Sequence, residues 1–219
     1  FVAGIGDAMA TKFEAEASAL SGANNYFEGQ VAQTALALAN LSWEIIKDKA
    51  LAALEAVYAG IVNQAFEDVA EAAILLSGLG FENGGLAAAH AISSGFTVLE
   101  QTQGALHGEM VAFGLLSQFM LEERPQQFIN EMLTFYKKIG LPITLAELGI
   151  EPPTSEKLVP AIKVICAPTS TPSHKLCILK WQYNMVREVI RLTHRKGTGK
   201  HEIRISKLET NHDNPNTND

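Results

Sequence analysis

The chain has 219 residues, of which 47% are hydrophobic, with abundant Ala and Leu, so it can bury one sizeable core or two smaller ones. Its formal charge of −7 argues against general nucleic-acid binding, which is driven by basic surface meeting phosphates. No apolar run reaches the roughly 18 to 20 uncharged residues a membrane span requires, so neither nucleic acid nor membrane is an expected partner. Two cysteines, Cys166 and Cys177, suit a reducing compartment and suggest no disulfide framework, which favours a cytoplasmic location. The start, Phe1-Val2-Ala3-Gly4, has neither an initiator Met nor the layout of a secretory signal, and reads as a piece of a longer chain.

Gly4-Ile5-Gly6-Asp7 precedes a helical pattern to about Leu20, with Ala10, Phe13, Ala17 and Leu20 at helical spacing. A dinucleotide fingerprint fails here, because Met9 stands where its third glycine belongs and only three residues precede it where a strand should be. Asp7 has an ordinary reading as a helix N-cap. A loop over residues 21–29 follows, rich in Gly and Asn. Residues 30–77 are continuously helical in character, with Gly60 and the polar residues near Asn63 as the expected breaks and Trp43, Ile46, Leu54 and Val57 as core. Asn40-Leu41-Ser42 matches a glycosylation sequon, but inside a helical pattern it reads as chance.

Gly78, Gly80, Gly84 and Gly85 crowd what reads as a short connection, with Phe81 caught among them. An Ala-rich helix carrying His90 then runs to about Gly95, and after a connection His107-Gly108-Glu109 opens the next helix. These are the only histidines before His174. A histidine on an apolar helix is commonly a satisfied core residue. Two of them flanking one loop, with the Asp7 carboxylate, leave a shared metal site equally open: a catalytic zinc needs three protein ligands and a free fourth position, and Asp/His/His supplies suitable O and N donors. Further helices are expected over about 127–138, in a short piece capped by Thr144, and, after a turn at Glu151-Pro152-Pro153-Thr154, to about Cys166. Residues 169–219 change character, with a partly helical segment, a basic stretch from Val186 to Lys207 and an Asn-rich tail expected to be disordered. The fold class is all-α, a multi-helix bundle.

Three blocks give the chain a specific resemblance: Gly4-Ile5-Gly6-Asp7-Ala8-Met9-Ala10-Thr11 with Phe13-Glu14-Ala15; Gly80-Phe81-Glu82-Asn83-Gly84-Gly85-Leu86-Ala87-Ala88-Ala89-His90-Ala91; and His107-Gly108-Glu109-Met110-Val111-Ala112-Phe113-Gly114. Residues 140–147 extend it. Over residues 1–168 the chain resembles the C-terminal, metal-binding domain of the glycerol dehydrogenase family, within the superfamily of iron-containing alcohol dehydrogenases and dehydroquinate synthase. The resemblance implies one Zn²⁺ held by Asp7, His90 and His107, glycerol beside Phe81, and NAD-dependent oxidation to dihydroxyacetone by hydride transfer from a zinc-bound alkoxide. For Phe81, packing under the glycine turn is an equally good reading. The iron-dependent branch carries an additional His four residues after the ligand Asp; here that place is Thr11, as in the zinc-dependent branch.

The resemblance further implies a small polyol substrate and a homo-oligomeric full-length enzyme. The family's amino-terminal NAD-binding domain is absent from this sequence, so the chain alone is expected to hold metal at best and not to turn over. Ser93-Ser94 and Met110 depart from the family pattern, at positions that orient ligands or meet cofactor. Two other readings stand beside this one: another metal-dependent alcohol dehydrogenase or lyase of the superfamily, and a non-catalytic helical remnant.

Overall fold

The structure is a computed structural model that describes residues 1–151 and 155–167. The expected segment and tail over 169–219, with the basic stretch and Cys177, lie outside the described residues. Among the described residues there are eight α-helices and no strand: α1 (Val2–Ser21), α2 (Gln33–Ala59), α3 (Gln64–Glu71), α4 (Ser77–Gly84), α5 (Ala88–Phe96), α6 (His107–Leu121), α7 (Gln126–Ile139) and α8 (Ser155–Ile165). Among them no single helix is long and apolar enough to cross a membrane. The all-α expectation holds.

The break between α2 and α3 follows from its residues. Gly60 closes α2 in the left-handed conformation, and the Asn63 side chain accepts from the Phe66 amide to start α3. A single π-helical turn, Ala72–Leu76, then joins α3 to α4 without a loop. The Ser42 hydroxyl on α2 donates to the Ala72 carbonyl there at 2.9 Å.

Two expectations are corrected. Helix α1 begins at Val2, so Asp7 lies in its second turn and is no N-cap. Gly4 and Gly6 look like helix breakers, but the fully buried Ile5 draws the first turn into the core. The glycine-crowded stretch is likewise mostly helix, because Gly84 serves contact: a Cβ there would stand 2.8 Å from that of Ala15 on α1. The chain turns only at residues 85–87.

Two apolar cores meet along α6. The larger is formed by Ile5, Met9 and Phe13 of α1 with Ile46 and Leu54 of α2, Val69 of α3, Val111, Leu115 and Phe119 of α6, and the Ile129, Met132, Tyr136, Ile139 stripe of α7. The smaller joins Ile92 and Phe96 of α5, Phe113 of α6, Leu145, Leu148 and Ile150, and Leu158 and Ile165 of α8. Helix α6 contributes to both and is buried on nearly every side, as befits a helix that is apolar all round. Its N-terminus reaches the surface beside α1 and α5.

Candidate metal centre

Close backbone contact brings the three helices together. A Cβ on Gly108 would lie 1.8 Å from the Ala3 carbonyl oxygen of α1, and one on Gly114 would lie 2.4 Å from the Ala89 carbonyl oxygen of α5. Only glycine permits either approach. Gly108 follows His107 and Ala89 precedes His90, so the first contact sets His107 beside α1 and the second sets the His90 helix against α6.

At that junction His90 Nε2 lies 3.2 Å and His107 Nε2 3.9 Å from Oδ1 of Asp7, and the ring centroids are 5.5 Å apart. One ligand atom from each of the three residues falls within 4.8 Å of the others, a group that could hold a metal ion. Two imidazole nitrogens and a carboxylate oxygen are the donor set of a three-ligand zinc site. The exposures grade outward: the His90 side chain is 17% exposed, Asp7 41% and His107 56%, so the cluster is closed behind and open in front.

Behind His90 stands Glu14, fully buried, two helical turns after Asp7 on the same face of α1. Its Oε2 lies 2.5 Å from His90 Nδ1, so the ring is held at both nitrogens from one helix. Burial disfavours the charged ring, but the charge of Glu14, hydrogen bonds to Asp7 and Glu14, and the charge of Asp7 outweigh it, and the His90 pKa is pushed up to about 10. Burial also raises the Asp7 carboxyl; the hydrogen bond from His90 and the charges of His90 and His107 win, leaving it below its ordinary value. His107 has a partner of its own in Ser93, whose buried hydroxyl lies 3.4 Å from Nδ1. Thr11 faces away into the core, its hydroxyl 2.7 Å from that of Ser77.

No family model matches the chain. Relatives do: among them the glycerol dehydrogenase of Citrobacter freundii is 44% identical and that of Thermotoga maritima 45% identical, each over 170 residues that make up 78% of this chain and 47% of the relative. A crystal structure of a probable glycerol dehydrogenase from Sinorhizobium meliloti matches the fold with a TM-score of 0.80 at 38% identity, over 88% of this chain and 55% of that one. The matched region is homologous to glycerol dehydrogenases. This chain spans about half the length of the glycerol dehydrogenases it matches.

The structure brings Asp7, His90 and His107, the ligand set the resemblance implies, within reach of one another, whereas Phe81 stands half-buried on α4. Glu14 lies inside a block that carries the glycerol dehydrogenase resemblance, yet sequence reasoning gave it no role. Its signal was a carboxylate seven residues after Asp7, on a face otherwise lined by Ala10, Phe13 and Ala17. Ser93, which departs from the family pattern, turns out to sit beside a proposed ligand.

Proposed function

We propose that this chain forms the metal- and substrate-binding part of an NAD-dependent glycerol dehydrogenase, with Asp7, His90 and His107 holding one Zn²⁺. The observation that carries this is the convergence of those three ligand atoms from three separate helices, in a chain whose relatives at 44–45% identity are glycerol dehydrogenases.

When bound, the zinc would supply a Lewis acid that lowers the pKa of a substrate hydroxyl. The chain's own residues do the rest. Asp7 and His107 leave the front of the cluster open to a small polyol, while His90 and the buried Glu14 close its back. Phe81 is assigned to the glycerol pocket by its place in the matching block. The working enzyme is read as a cytoplasmic assembly of like subunits.

Elemental analysis of the purified chain, before and after dialysis against a chelator, tests the ligand set. About one zinc per chain is expected, and little or none in His90→Ala or His107→Ala. Occupancy that survives both substitutions would show that the ligands lie elsewhere.

A further inference from the structure

Glu14 is a fully buried carboxylate whose contacts all converge on one short helix. Its Oε1 accepts from the amides of Ala87 at 2.8 Å and His90 at 2.9 Å, and its Oε2 lies 2.5 Å from His90 Nδ1. Helix α5 receives no side-chain cap from its own N-cap residue, Ala87. Glu14 supplies that cap from α1, satisfying amides that would otherwise be orphaned at a helix start. A second polar side chain serves an amide between those two: Gln118 of α6, also fully buried, accepts from the Ala89 amide at 3.1 Å.

The capping and the ring contact have different chemical requirements. Capping needs only an acceptor oxygen, which a carboxylate and an amide both offer. The contact with Nδ1 is more demanding, because an ionised carboxylate can only accept, so Nδ1 must carry the proton. Metal binding must displace the proton on Nε2, the nitrogen that faces Asp7, and the lone pair is then confined to that atom.

We infer that Glu14 is a positioning residue, which fixes the start of α5 and holds His90 in the tautomer that presents Nε2 to the metal. This rests on the metal reading above. Glu14→Gln separates the two jobs: its carbonyl oxygen can still cap Ala87 and His90, while its NH₂ group then faces Nδ1 and drives the ring proton onto Nε2, where it competes with the metal. Other partners of metal-ligating histidines act in this way, and their loss costs 10- to 100-fold in affinity.

The test uses the full chain and zinc alone. Zinc affinity, read by competition with a chromophoric chelator, is expected to fall about 10- to 100-fold in Glu14→Gln, with helical circular dichroism kept. Wild-type affinity in a folded Glu14→Gln protein overturns the positioning role and leaves the metal site standing. No zinc binding by the wild-type chain sinks the metal reading, and the positioning role with it. Should Glu14→Gln fail to fold, ¹⁵N-histidine spectra of the zinc-loaded wild-type chain decide the matter: His90 is expected to coordinate through Nε2 with a proton on Nδ1, and coordination through Nδ1 overturns the inference.

Discussion

Tyr136 of α7 is fully buried, and its hydroxyl donates to the Ala112 carbonyl of α6 at 2.8 Å. Burial pushes the phenol's pKa well above its ordinary 10. The sign of the effect on stability follows. Above pH 10 the unfolded chain releases this proton while the folded chain keeps it, so stability is fully present below that pH and is lost as pH rises. Tyr136→Phe is expected to cost about 1 kcal/mol at neutral pH and to flatten the alkaline decline. Urea unfolding at pH 8 and near pH 11 checks both; an unchanged alkaline slope in the variant would place the sensitivity elsewhere.

The residues at the site differ in how openly the sequence displays them. His90 and His107 are rare residues flanking one loop and attract notice at once. Glu14 does not, because a lone Glu in a helix ordinarily faces water, and only the packing of α5 and α6 against α1 takes it out of solvent. Ser93 is hidden for the same reason, its proximity to His107 being created by the crossing of two helices.

At the scale of elements, the segments most open to misreading are those where glycine serves contact rather than turning. The break at Gly60 and Asn63 is legible, since both residues act through local backbone chemistry. The start of α1 and the whole of α4 are not, since the use of Gly6 and Gly84 depends on a neighbouring helix that no local pattern announces. The contact between Gly108 and Ala3 gives this view a consequence. Gly108→Ala must push α1 and α6 apart, at a cost of roughly 1 to 3 kcal/mol, and it should lower zinc occupancy although no proposed ligand is altered. Thermal melting together with metal analysis tests this; full occupancy at unchanged stability would mean that the helix contact does not set the site.

At the scale of the molecule, both cores are apolar and include none of Asp7, His90 and His107, which meet where three helix segments come together at the surface. Removing metal is therefore expected to leave the helices standing. Chelation should keep far-ultraviolet circular dichroism and lower the melting temperature only by the ligand's mass-action term. A zinc-finger-like site behaves oppositely and unfolds. Loss of helix on chelation would reveal that the cores depend on the ion. Fold class is legible at this scale because periodicity and composition dictate it; how two cores divide along α6 is not, since a helix apolar on all sides carries no pattern to say which face meets which neighbour.

Asp7 and Glu14 grip one imidazole from a single helix, which makes α1 a caliper whose jaw spacing is set by backbone geometry. One residue inserted between them would swing one carboxylate about 100° around the axis, releasing either the front or the back of the ring. Substitutions on the solvent side of that segment leave the caliper closed, whereas changes in its length do not.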